Sequence, residues 1–356
     1  MSMMDAAMAW ARRSRVTTTP SRVEVNLRAI PVLAPGGWRL YKLDEWPLIG
    51  AAPKGYLAYG DPEGPDCRAF IAKRGRGTDG AYRECVTEEI ISKIGAMLPV
   101  RMARSRLVRV PPEPGVAPDL RFLSQNFLRG GEELIHGIEI VGQYFDAKPE
   151  DVEAAFNLND KASEQSFYTI HNMVEVLRWF CTPSELPFIL TGFARMLAFD
   201  AFVGAPDRHA LNWGVVQSRT DPGRARRFAP LFDTARGLYR EHTDQKLAVI
   251  AATRGADVHV RDYAEKSKPV FGVRRPSGPR CNHFELVEHA LRQLPHELGA
   301  TMTRFINAIQ LPKIEFMIAR RFRKIITPLR VSFIVALLRY RHERLKILVR
   351  NAGDAK

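Results

Sequence analysis

The hydrophobic pattern changes period partway along the chain, and that change limits the folds open to it. From about residue 37 to 130 the apolar residues come in short strand-like runs: WRLYKL, GYLAYG, CRAFIAK, RLVRV and RFLSQNFL. Gly- and Pro-rich turns such as GDPEGPD and PPEPGVAP separate them. One helical segment, RECVTEEIISKIGAML, interrupts the strands, with Val86, Ile90, Ile94 and Met97 at helical spacing. From about Pro149 long helical patterns take over: DVEAAFNL, ASEQSFYTIHNMVEVLRWF and SELPFILTGFARMLAFDAFVG. A two-strand island, WGVVQ and RFAPLFD joined by SRTDPGRAR, breaks that helical stretch. A β-rich part followed by a helical part with one hairpin inside it is a bilobal α+β plan. The expected divisions are a basic arm over 1–36, a β-rich lobe over 37–130 and a helical lobe over 131–356, with Gly130 and Gly131 as the hinge.

Composition sets the chemical class. The 356 residues are 46% apolar and 26% charged, as in an ordinary globular protein, and carry a formal charge of +14 that favours acidic partners. Cys67, Cys85, Cys181 and Cys281 form no C-x-x-C pair. They read as thiols in a reducing compartment rather than as disulfides or a zinc site. The N-terminus, MSMMDAAMAWARRSR, has no continuous apolar stretch of the kind a signal peptide needs. The expectation is a cytoplasmic protein, with a secreted effector as the alternative. No run is expected to cross a bilayer; the best, residues 331–338, is under half of the roughly 20 residues required. Residues 313–350 hold eleven Lys and Arg against two acids, which reads as the solvated outer face of a helix before a membrane or nucleic-acid surface.

The stretch FIAKRGRGTDG matches G-x-G-x-x-G at Gly75, Gly77 and Gly80. A dinucleotide fingerprint also needs an acid about 20 residues on, at the end of the next strand. Here that strand, ARSRLVRV, carries arginines and runs into Pro111 and Pro112. The glycines read better as a strand-to-helix turn. The flanks are more informative: Lys73 ends a strand, and Glu84, Glu88 and Glu89 lie on the helix that follows. A strand lysine paired with a helix glutamate is how protein kinases hold the α- and β-phosphates of ATP.

The densest chemistry is FDAFVGAPDRHALNWGVV followed by APLFDTARGL. Phosphoryl transfer needs a carboxylate beside the nucleophile, oxygen ligands for Mg²⁺ and positive charge on the phosphates. Asp207, Asn212 five positions later, and Asp233 across the hairpin supply that set. Singly, each has a blander use in a turn or helix cap. Their order, with a strand lysine upstream, favours the functional reading. Trp213 and Phe232 are expected to be core residues anchoring the hairpin.

The string VGAPDRHALNWG…FAPLFDTARGL resembles the catalytic core of HipA-like serine/threonine kinases, and more distantly the D-R-H-x-x-N element of phosphoinositide kinases. IGAAPKGYLAYG and FIAKRG resemble that family's nucleotide loop and lysine strand, so the resemblance covers roughly residues 45–240. It implies a protein-kinase-like fold using ATP and Mg²⁺ and a protein Ser/Thr acceptor. Asp207 would orient the acceptor hydroxyl, and Asn212 and Asp233 would ligate Mg²⁺. Lys73 would contact the phosphates, paired with Glu88 in preference to Glu84. The segment 50–55, with Gly50 and Lys54, would cover the nucleotide. Gln125, Asn126 and Phe127 would lie near adenine, and His209 would orient the catalytic loop or neutralise developing charge. The chain resembles a short, stand-alone member without the surface an antitoxin would dock on. A lipid or small-molecule kinase and a nucleotide-binding scaffold are the alternatives, and nucleic acid is the weaker partner for the basic surface.

Overall fold

The computed structural model describes residues 5, 24–33, 38–41, 54–59, 68–75, 81–110, 119–148, 168–252, 255–276 and 278–354. Five strands form an antiparallel sheet: β1 (Trp38–Tyr41), β2 (Lys54–Tyr59), β3 (Arg68–Lys73), β4 (Ser105–Val110) and β5 (Asp119–Gln125), in the order β1-β2-β3-β5-β4. All five arise from the short apolar runs of the first third. β3 is central, with Lys73 opposite Lys54 on one side and Phe122 on the other. Helix α1 (Ala81–Gly95) lies against β4 and β5. Its Val86, Ile90 and Ile94 are buried in one core cluster with Leu107, Leu120 and Phe122. The period-2 strand residues and the period-3.6 helix residues meet there. Leu57, Phe70, Ala72, Val108 and Leu123 form a separate small cluster.

A second, three-stranded sheet is built from residues 132–228. β6 (Glu132–His136) pairs antiparallel with β7 (Gly214–Ser218), which pairs with the two-residue β8 (Arg227–Phe228). The expected hairpin is therefore two strands of three, and its second strand is much shorter than RFAPLFD suggested. At Gly214 a Cβ would fall 2.3 Å from the Ile135 carbonyl oxygen, so only glycine lets β6 and β7 approach this closely. Past β8, Leu231 bonds in parallel register to Met102: its N–H donates to Arg101 O at 2.8 Å and its carbonyl accepts from Ala103 N at 3.0 Å. The residues before Asp233 are thereby stitched to the segment entering β4.

The remainder is helical: α2 (Gly137–Phe145), α3 (Ile170–Phe180), α4 (Leu186–Val203), α5 (Asp244–Ala252), α6 (Ala256–Lys266), α7 (His283–Gln293), α8 (Ala300–Asn307), α9 (Leu311–Phe322) and α10 (Pro328–Asp354). α4 corrects the expectation about apolar runs. Its 18 residues have a mean hydropathy of 1.5, enough by length and composition to cross a membrane, and 67% of them are buried inside the fold. Packed between α3, α8 and α10, it is the apolar axis of the helical part. Residues 331–338 are the buried start of α10. The expected helix at 151–158 lies outside the described residues.

Candidate active site

Helix α4 delivers the site. Asp200, in its last turn, is 3% exposed, and the helix stops at Gly204 in the left-handed conformation, φ +71°, where glycine is strain-free. The chain then turns through Asp207 to Trp213 and enters β7. Arg208 folds back under this loop and is 2% exposed. Its guanidinium holds Asp200 with both ends of the fork, Nε to Oδ2 at 2.8 Å and Nη2 to Oδ1 at 2.9 Å. Its remaining nitrogen, Nη1, donates to the carbonyls of Asn212 at 2.8 Å and Phe232 at 3.0 Å. One buried side chain thus ties the Asp207 loop to the residue preceding Asp233. Burial pushes the Asp200 carboxyl up, against the pull of Arg208. The bidentate geometry suits a buried charge pair.

The β6–α2 corner braces the same loop. Gly137 N–H donates to Trp213 O at 2.9 Å, and Ile138 N–H to Ala210 O at 3.1 Å. His136 Nδ1 lies 2.9 Å from Leu211 O. Trp213 is 1% exposed and donates its indole N–H to Tyr168, so its expected core role holds. Phe232 differs: it is half-buried, 5.7 Å from the Phe127 ring and 6.1 Å from His136. It lines the seam between the two sheets instead of filling the core.

Lys73 is the centre of the charge arrangement. Its Nζ lies 2.7 Å from Glu88 Oε1 and 3.1 Å from Asp233 Oδ1. Burial alone would lower the ammonium; the two carboxylates outweigh it and hold Lys73 charged, above the ordinary lysine range. Burial pushes Glu88 up to about 7 although Lys73 pulls it down. Glu84, one turn earlier, pairs with Arg240 at 2.8 Å. The two glutamates that helical spacing could not separate therefore have different partners. Asp233 has φ +52°, a left-handed conformation that costs a non-glycine residue energy and is tolerated where surrounding contacts over-determine it.

Asn212 turns its side-chain amide into the loop. Its Nδ2 donates to Asp207 O at 2.8 Å and lies 3.0 Å from His209 Nε2, while the other ring nitrogen, Nδ1, accepts from Leu211 N–H at 3.3 Å. His209 is turned into the loop, and desolvation lowers its pKa despite Asp207 and Asp233, so the neutral ring is the favoured form. Asp207 Oδ2 pairs with Arg236 Nε at 3.1 Å.

The structure thus brings Lys73, Glu88 and Asp233 into contact, and Asp207, His209 and Asn212 into one braced loop. Gln125 ends β5, half-buried, with Phe127 two residues on against Phe232. Lys54 and Gly55 belong to β2 rather than to a loop, and Gly50 lies outside the described residues. Arg208 and Arg236 were missed by the sequence reading. The signal for Arg208 was a lone acid, Asp200, inside the apolar run AFDAFV, which demands a buried cation.

The sequence matches the model of the HipA-like C-terminal domain family over residues 46–310. The chain belongs to this family. Among solved structures it is similar to the Helicobacter pylori proinflammatory kinase CtkA, at 15% identity and TM-score 0.67 over 92% of this chain and 100% of that one. At that identity the likeness establishes the kinase-like fold. HipA of Shewanella oneidensis MR-1, solved with HipB and operator DNA, aligns at 12% identity over 91% of this chain and 76% of that one, with TM-score 0.46. Comparison with curated protein sequences finds no match.

Mg²⁺ would fit this site only as a shared ion. No group of three or more His, Cys, Asp or Glu side chains among the described residues is arranged to hold a metal alone. Asn212 Oδ1 and the Asp233 carboxylate offer two oxygens of the hard type that Mg²⁺ takes while phosphates and waters complete its shell.

Proposed function

We propose that this HipA-like protein is an ATP- and Mg²⁺-dependent kinase transferring phosphate to a Ser or Thr hydroxyl of a protein. The observation that carries the reading is Lys73 touching Glu88 and Asp233 at once, 2.7 and 3.1 Å away. A buried ammonium fixed by a helix carboxylate and abutting an acid of the metal set is what a triphosphate clamp requires. Lys73 would bind the phosphates, and Asn212 and Asp233 would hold the metal, which when bound neutralises charge on the transferred group. Asp207 would orient the acceptor hydroxyl and take its proton. The braced loop supplies positioning and fixed charge, the main contributions in this chemistry. Membership of the HipA-like family, rather than geometry, is what supports protein as the acceptor. We place the lobe division near residue 130, and the buried thiols Cys85, Cys181 and Cys281 favour a reducing, cytoplasmic location.

Incubation of the pure protein with labelled ATP and Mg²⁺ tests this. Label on itself or on a generic protein substrate is expected, and Asp207→Ala should remove it without altering the melting temperature. Label confined to inositol lipids would replace the protein acceptor with a lipid one. Nucleotide binding without any transfer would sink the enzyme reading.

A further inference from the structure

The outer face of α9 carries Lys313, Phe316 and Arg320 on successive turns and continues into Arg323 and Lys324, all exposed. Phe316 is 62% exposed, with the Arg320 guanidinium 5.9 Å from its ring centre. The helix's acid, Glu315, faces the other way, is buried, and holds Arg339 at 2.6 Å. Among the described residues no carboxylate pairs with Lys313, Arg320, Arg323 or Lys324, whereas Arg321 reaches Glu89 at 3.3 Å. α10 differs: its Arg339, Arg344 and Arg350 each have an acid partner. Beside Phe316, Met97 is 41% exposed, and with Pro312 and Met317 these residues line a shallow depression of about 720 Å³ rimmed by Lys313, Arg320 and Arg321.

A solvated helix face accounts for the cations but not for a phenylalanine and a methionine beside them. A phosphate backbone would use the charges and leave the apolar side chains unused. A bound peptide strand would need unpaired backbone or amide groups, and this face offers only charge and apolar area. Anionic headgroups over an acyl boundary match both components: cations one turn either side of an aromatic that can enter the interface. We propose that the α9 face is a peripheral docking surface for an anionic lipid bilayer, seated on Phe316 and Met97 and held by Lys313, Arg320, Arg323 and Lys324. This stands apart from the catalytic proposal, since no residue of the face belongs to the site above.

Co-sedimentation of the full chain with vesicles tests it, comparing phosphatidylcholine alone with three parts phosphatidylcholine to one part phosphatidylserine. Binding to the anionic vesicles alone is expected, weakening as salt shortens the reach of the charges. Removing Arg320, Arg323 and Lys324 by alanine should weaken binding about fivefold for each cation lost. Phe316→Ala should weaken it by about fivefold as well, since a partly inserted ring contributes less than full burial. These side chains are exposed, so each variant should keep the parent melting temperature. Failure to sediment with anionic vesicles at low salt would overturn the proposal. So would binding that survives both sets of substitutions, which would move the contact elsewhere on the basic surface. Preference for a DNA duplex, with no sensitivity to Phe316→Ala, would overturn it in favour of nucleic acid.

Discussion

Asp207 and Asp233 have side chains equally open to solvent, 30% each, yet they are held in opposite ways. Asp233 abuts a lysine that is 8% exposed, sits in a left-handed backbone, and follows a carbonyl bonded to buried Arg208. Asp207 meets an arginine that is 44% exposed. Its loop is fixed through its backbone and through Arg208, while its carboxylate contacts a cation that can leave at little cost. A metal ligand has to stay where the fold puts it. A group that receives an acceptor hydroxyl has to be able to exchange partners. The contrast in partners fits the roles proposed for the two acids above.

Variants can break the comparison. Arg208→Ala should have the largest effect, about 3–5 kcal/mol of lost stability in urea unfolding, because it strands the Asp200 carboxylate in the core. Arg208→Lys should recover only part, having no fork to reach Asp200 and two carbonyls together. Lys73→Met should cost less, about 2 kcal/mol, since Glu88, already raised to about 7, can take up a proton when left alone. Asp207→Asn should leave stability within about 0.5 kcal/mol and lower the transfer rate by a factor of 10² or more. If unfolding measurements showed Asp207→Asn and Lys73→Met equally destabilised, the distinction between the two acids would collapse.

The smallest effect sharpens the picture at the back of the hairpin. Burial would raise Glu185, but N–H groups of Arg226 and Thr182 and the Arg226 side chain outweigh it and hold the carboxyl at about 2. A folded-state pKa below the unfolded value of 4.5 gives stability that is present above 4.5 and is lost as pH falls through about 2. Melting temperatures of wild type and Glu185→Gln should therefore differ at neutral pH and converge toward pH 2 to 3. A gap of constant size across that window would place the stabilisation elsewhere.

Much of this was legible in the residues. The five strands and α1 follow from local period and turn chemistry. Lys73, Asp207, Asn212 and Asp233 could be singled out as candidates from their order, and the fold brings Lys73 against Asp233 and ties Asn212 to Asp207. What could not be read depended on contacts distant in sequence. β6 is a polar pentapeptide after two glycines and becomes a strand only through β7, about eighty residues later. Glu84 and Glu88 share a helix face, and their roles separate only because Arg240 takes one of them. Arginine is ordinarily a surface residue, so Arg208 drew no notice until its depth beneath the loop was known. α4 escaped notice as a long apolar helix because its Arg195 and Asp200 interrupt the run by eye, while its average remains apolar.

The Arg208 bridge has a mechanical corollary. Because one rigid planar group grips α4, the Asp207 loop and the strand end before Asp233, those three pieces must travel together. Any movement of β3 and α1 away from them would have to part Lys73 from Asp233 and Glu84 from Arg240, along with the Arg83 bond to Arg240 O. Turnover would then depend on how readily these ionic contacts break as well as on the transfer step itself.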